Sequence, residues 1–231
     1  MKNSVLSKTY MASLISALSK INFKTLLVNF KYLPFRDAIK LPIFISQKVY
    51  LMDLKGSITI KGEIASGMIR IGYGEIGIFD RKNSRSILEL RGKLIFENRA
   101  KFGQACKISV GERATLTIGD NLLVTAESSI ACHKKITIGH DCLISWEVQI
   151  MDTDFHKIKD KTGRITNPDK EIKIGDRVWI GSRCTILKGS EILEGCVIAT
   201  NSIINKALAT PNSIIGGNPA KEIASDIEWE A

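Results

Sequence analysis

Ile174, Ile180, Ile186, Ile192, Ile198 and Ile204 fall six residues apart without a miss. Four residues after five of them stand Val178, Cys184, Ser190, Cys196 and Ser202, all small or aliphatic. A period of six is neither the helical repeat of about 3.6 nor the spacing of a strand meander with turns roughly every 8–12 residues. Each hexad reads as a short strand plus a corner. Three hexads then make one triangular turn of a parallel β-helix, and successive turns stack at about the 4.8 Å spacing of paired strands. The isoleucine points inward and the small residue lets the chain bend.

Composition agrees with a narrow interior. Aromatic residues make up only 6% of the 231, as expected where stacked Ile and Val fill the space. The net charge of +9 is unevenly spread: Lys2, Lys8, Lys20, Lys24, Lys31, Arg36 and Lys40 face Asp37 alone in residues 1–40, a local +6. A basic arm on a mildly basic body argues against a nucleic-acid footprint and predicts no nucleic-acid partner. The five cysteines, Cys106, Cys132, Cys142, Cys184 and Cys196, are odd in number and form no CxxC. Neither a disulfide framework nor a zinc knuckle is supported, and a reducing, cytoplasmic setting is expected. Leu6, Tyr10, Leu14, Leu18 and Ile21 follow helical spacing beside Lys8 and Lys20. A helix there either packs on protein or lies on an anionic membrane surface, which makes residues 1–40 a candidate for peripheral contact at the inner face of the membrane. Ser and Lys interrupt the stretch too often for a spanning segment.

Residues 1–55 read as this basic amphipathic helix followed by a connector that caps the first coil. Residues 56–223 read as the β-helix, and 224–231 as a C-terminal cap. The early coils are irregular, with Ile58/Ile60, Ile69/Ile71, Leu88/Leu90 and Leu116/Ile118 as same-face pairs. Ile71-Gly72, Val110-Gly111, Ile118-Gly119, Ile138-Gly139 and Ile174-Gly175 mark recurrent corners where glycine permits unusual φ. Ile118 to Ile138 is a twenty-residue step, one coil with an extra corner at His133-Lys134-Lys135. After Ile150 the period stops, and residues 157–171 are polar and read as one long loop leaving directly after Met-Asp-Thr-Asp-Phe-His. Long loops in compact repeats commonly carry function.

IGHDCLIS…IMDTDFH (138–156), IGDRVWIGSRCTILKGSEI (174–192), VIATNSII (197–204) and GGNPAK (216–221) together resemble the hexapeptide-repeat acyltransferases. Within them the chain looks most like the sugar O-acetyltransferases of surface-polysaccharide clusters, near the galactoside and maltose acetyltransferases. The resemblance implies an all-β fold, a left-handed parallel β-helix with a short helical N-terminal extension, assembled as a homotrimer with active sites between subunits. It implies acetyl-CoA as donor substrate, a carbohydrate acceptor and no metal.

His156 is the candidate general base, since transfer from a thioester to a hydroxyl needs a base near neutral pH. Asp152 and Asp154 are both candidates to hold its tautomer, as the carboxylate does in a triad; residues i and i+2 share a strand face, which leaves Asp154 the alternative of facing solvent. On the donor side, Gly181, Ser182, Ala199 and Thr200 align with the track for the pantetheine arm, where small residues allow close backbone approach. Trp179 is either a subunit contact or a wall of the cofactor site. Lys206 and Lys221 are placed by the resemblance to meet the phosphates. Thr125 aligns with an Asn that galactoside acetyltransferases use near the reacting carbonyl. Two rivals remain beside O-acetyl transfer to a sugar or polysaccharide precursor: N-acetyl transfer to an amino sugar, and a non-catalytic β-helix scaffold. A zinc lyase of the carbonic-anhydrase type is disfavoured, because His133, His140 and His156 include no closely spaced ligand pair.

Overall fold

The computed structural model describes residues 21–74, 76–80 and 82–230; the amphipathic pattern over residues 4–20 lies outside them. The chain is a left-handed parallel β-helix whose three sides are sheets of nine, seven and six strands, here sheets A, B and C. Each of the first six coils gives one short strand to A, then B, then C, and the seventh gives one to A and one to B. The first coil begins with Ile43–Ile45 and the seventh with Val197–Ile198. Strands pair with the coil above and below, so the hexad isoleucines stack in columns: Ile144 on Ile180 on Ile198, Ile150 on Ile186 on Ile204, and Ile138 on Ile174 on Ile192. All nine are buried. Burying one such side chain is worth about 1.5–3 kcal/mol, and the columns form one continuous core with Phe96 and Phe102 filling its lower end.

The coils begin upstream of residue 56. Ile43–Ile45 pairs with Ile69–Ile71, and Val49–Leu54 with Ser86–Leu90, so much of the aperiodic connector is itself coil. Below it lies the helix α1, Phe23–Tyr32, capped by the Asn22 side chain, which accepts from the amides of Lys24 and Thr25. A four-residue helix α2, Phe35–Ala38, follows. Val28 of α1 enters the core. Two buried polar side chains of α1 meet the free edge of the first strand. Thr25 Oγ1 accepts from Ile45 N and donates to Ile45 O; Asn29 Oδ1 accepts from Ile43 N while its Nδ2 donates to Ile43 O. A sheet edge that would otherwise stand unpaired is thereby satisfied. At the other end, Ile214–Gly217 stacks on Val197–Ile198 and turns back as an antiparallel hairpin with Ala220–Ala224.

The corner glycines act differently from the expectation. Of the five Ile-Gly or Val-Gly corners, only Gly72 has positive φ, at 81°. Gly119, Gly139 and Gly175 stack at the C–A corner, where one coil nearly touches the next. A Cβ on Gly119 would lie 2.3 Å from the Gly139 carbonyl carbon, and one on Gly139 would lie 2.4 Å from Asp176 Oδ1. Close approach, and not φ, requires glycine there. The left-handed turn falls two residues later, on Asn121, Asp141 and Arg177, with φ of 60°, 54° and 51°. Each such non-glycine residue carries a cost of roughly 1 kcal/mol that the stacked coils on either side offset.

Candidate active site

The fifth coil is where the period breaks. Ile138 pairs with Ile174 and Ile150 with Ile186, steps of thirty-six residues where the coils above advance by eighteen. The excess leaves the B–C corner after the strand Gln149–Met151 and returns at Ile172–Ile174. It is not a featureless loop. Lys159 and Ile165 form an antiparallel bridge, Asp160 N donates to Arg164 O, and the Asp160 carboxylate accepts from Thr162 and Arg164. The insertion is a small hairpin with a closed tip.

His156 stands at the foot of this hairpin, exposed. Its backbone is held on both sides: His156 N donates to Asp154 O at 2.6 Å, and its carbonyl accepts from Asn167 Nδ2 at 2.8 Å. Phe155, with φ of 60°, turns its ring edge-on to His133 at 4.8 Å between centroids. The three histidines have separate duties. His140 Nδ1 accepts from Asp120 N at the C–A corner, and His133 packs on Phe155, which leaves His156 as the exposed histidine whose imidazole has neither a hydrogen bond nor a ring contact among the described residues. Among the described residues no three His, Cys, Asp or Glu side chains cluster closely enough to hold a metal ion.

The two candidate carboxylates part company. Asp152 is fully buried, and its oxygens accept from His133 N, Lys134 N and Lys135 N at 2.6, 2.8 and 2.7 Å. Asp152 therefore ties down the extra corner of the coil below and, within one chain, does not hold the His156 imidazole. It also helps push the Cys132 thiol pKa up, second to burial. Asp154 faces outward and pairs with the Lys188 ammonium, while Asn167 Nδ2 donates to the same oxygen at 2.8 Å. Those two hydrogen bonds hold its carboxyl below the ordinary range. Lys188, which the periodicity did not single out, sits at the B–C corner directly above, since Leu187 pairs with Met151. It could have been found as a lysine in a small-residue corner, Leu-Lys-Gly-Ser.

Most of the residues expected on the donor side gather elsewhere, at the A–B corner. Register carries Thr125, Ser145, Gly181 and Ala199 into one column, each following its stacked core residue Val124, Ile144, Ile180 or Ile198. A Cβ on Gly181 would lie 2.7 Å from Ile198 O, so the column has no side chain there. Ser182 Oγ lies 3.4 Å from Thr200 Oγ1 beside it. The Thr125 hydroxyl is buried and without a hydrogen-bond partner among the described residues. Trp179 borders the column from sheet A, its indole N–H donating to Ser145 Oγ at 3.1 Å. Its outer face meets Trp229 at 5.9 Å, and Trp229 Nε1 donates to Arg177 O, so the C-terminal tail folds over this side. Lys221 lies opposite Gly216, at the top of the column. Lys206 does not join it: it follows Ile203–Ile204 and lies exposed at the B–C corner, two coils above His156. In a single chain the donor column and His156 are therefore separated by the width of sheet B, on the order of 10 Å for strands of three residues.

Residues 171–206 match the family described as bacterial transferase hexapeptide (six repeats). Over most of its length the chain is similar to an uncharacterised 24.8 kDa protein in the cps region of Klebsiella pneumoniae, 29% identical over 88% of each. It is 29% identical to the putative lipopolysaccharide biosynthesis O-acetyl transferase WbbJ of Escherichia coli K12, over 57% of this chain and 71% of that one. The polysialic acid O-acetyltransferase of Neisseria meningitidis is 34% identical over 54% of this chain and 55% of its own.

Proposed function

We propose that this chain, which carries a hexapeptide-repeat transferase domain, is an acetyl-CoA-dependent O-acetyltransferase acting on a sugar or polysaccharide precursor in surface-polysaccharide biosynthesis. The observation that carries the reading is the transferase match over 171–206, the stretch that builds the upper donor column. Relatives named as O-acetyltransferases of lipopolysaccharide and polysialic acid give the acceptor class.

His156 takes the proton of the acceptor hydroxyl as that oxygen attacks the thioester carbonyl. The C–O bond forms, the C–S bond breaks, and the proton passes on to the departing CoA thiolate, so no covalent enzyme intermediate is needed. The pantetheine arm lies along Gly181, Ser182, Ala199 and Thr200, where absent side chains let it approach backbone amides. Trp179 walls the column, and Lys221 meets a phosphate as a point charge. Thr125, which the resemblance aligns with an Asn near the reacting carbonyl, lies on the same column, its buried Oγ1 without a hydrogen-bond partner among the described residues. Separation of His156 from the column within one chain supports a site completed by a second copy, and Lys206 then reaches the donor from the His156 side. Register also lines Leu123, Leu143, Trp179, Val197 and Ile214 along the outside of sheet A. An apolar ladder facing outward fits the homotrimer.

The test is CoA-thiol release with acetyl-CoA and a panel of nucleotide sugars, lipid-linked oligosaccharides and simple glycosides. His156→Ala is expected to lose roughly 100- to 10,000-fold in turnover while still binding acetyl-CoA. Near-normal turnover in that variant removes His156 as the base. An acetyl group stable to mild alkali would make the product an amide and the reaction N-acetylation. No binding of CoA would leave the scaffold reading.

A further inference from the structure

Lysine is rarely enclosed, yet the Lys188 side chain is only 18% exposed. It is enclosed by the foot of the hairpin. Its ammonium pairs with the Asp154 carboxylate and donates to Asn167 O at 2.9 Å. Asn167 in turn spends its side chain on the opposite limb. Its Nδ2 donates to Asp154 Oδ2 and to His156 O, both at 2.8 Å, and its Oδ1 accepts from Ile158 N at 2.6 Å. Thr166 N closes the same rung on Ile158 O at 2.8 Å. The outgoing limb, 154–158, and the returning limb, 166–167, are thus joined through the Asn167 amide and the Thr166 rung, and the joint is bolted to the sixth coil through one lysine. His156 sits between two of these bonds. Apart from the His156 N bond to Asp154 O within the same limb, its backbone has no other hydrogen bond among the described residues, and Met151 is the last residue of the strand before it.

We propose that Lys188 is a positioning residue for the transfer reaction: through Asp154 and Asn167 it fixes the His156 backbone and holds the 157–167 hairpin upright beside it. This rests on the reading of His156 as the base. Lys188 touches neither substrate in this account and acts only through its two partners. Asp154 belongs to the clamp and does not hold the imidazole, since both its side-chain partners are the clamp's own. A shared ammonium explains why an exposed hairpin of eleven residues leaves a rigid solenoid with both feet bonded, where a free insertion would leave the base mobile.

The test compares full-length wild type with Lys188→Ala, Lys188→Met and Asn167→Ala. Three quantities are read: turnover, acetyl-CoA Kd by calorimetry, and amide hydrogen exchange. Each single variant is expected to lose roughly 10- to 100-fold in kcat with the acetyl-CoA Kd unchanged. Exchange is expected to accelerate over residues 156–168 and nowhere in the coils. The double variant Lys188→Ala/Asn167→Ala should lose no more than the worse single, because both cut one strut. Lys188→Arg, which keeps a donor and the charge, should restore part of the rate. Unchanged kcat with unchanged hairpin exchange overturns the proposal, as does full additivity in the double variant. Should Lys188 variants lose the coils, Asn167→Ala on the exposed hairpin carries the test alone. If wild type acetylates no acceptor, the functional reading fails by itself, and the exchange comparison still decides whether Lys188 holds the hairpin.

Discussion

Two aspartates two residues apart show how far a motif alone can carry a residue's role. Both stand beside His156 in the sequence, and alternation put them on one face; the structure sends Asp152 inward to three backbone amides and Asp154 outward to Lys188. The reason is topological. The extra corner at His133-Lys134-Lys135 leaves three N–H groups turned into the fold, and only a carboxylate on the coil above can accept all of them. That corner was legible as a two-residue excess in the step from Ile118 to Ile138, but its partner was not, because the partner lies a coil away. Asp152→Asn exchanges one acceptor oxygen for an NH2 group that faces N–H donors. The variant is expected to lose about 2–3 kcal/mol of unfolding free energy, read as a lower urea midpoint at unchanged slope. Unchanged stability would mean the corner finds other acceptors. Burial also sets the thiols apart from any chemistry: it raises Cys106 to about 11 and Cys142 to about 12, where a thiolate is scarce at neutral pH.

At the scale of strands and corners, the period-six isoleucines predicted the coils from Ile172 upward residue for residue, because nothing competes with the inward column there. Below residue 56 the same fold was hidden. Ile43–Ile45 and Val49–Leu54 belong to the first coil, but Pro34, Pro42 and the two helices break the period around them. Glycine was read correctly as a corner residue, but as a φ device it holds at Gly72 alone of the five named corners. The C–A column needs hydrogen atoms where Cβ atoms would strike the next coil, while arginine, asparagine and aspartate absorb the left-handed turn. Gly139→Ala tests the distinction. Its Cβ would press on Asp176, whose carboxylate accepts from His140 N at 2.7 Å. A loss of about 1–3 kcal/mol is expected by chemical denaturation, whereas Asp141→Gly two residues on should cost little or stabilise. The reverse order would restore the φ explanation.

For the molecule as a whole, the sequence contained the pieces of the proposed donor track and the proposed base but not their separation. Spacing in a triangular repeat places residues on corners only once every insertion is counted, and the His133 corner and the 157–171 hairpin shift that count. With the count settled, His156 and the Gly181–Ala199 column occupy different corners, and the proposed mechanism needs a second copy to bring them together. The two ends of the solenoid are just as consequential. A parallel stack of identical coils has no intrinsic length: each end offers the hydrogen-bonding template of the next coil, as the tip of a growing fibril does. Here Thr25 and Asn29 occupy that template below, and an antiparallel strand blocks it above. The side chains of α1 are in this sense chain terminators. Thr25→Val/Asn29→Leu, which keeps the volume and removes the polar atoms, frees only the lower end and is expected to join particles in pairs through that end, seen as a doubled mass and length by light scattering and electron microscopy. Particles of unchanged size would show that α1 blocks the end by bulk alone. A protein whose fold is a one-dimensional lattice must carry, in a few buried hydroxyl and amide groups, the instruction to stop.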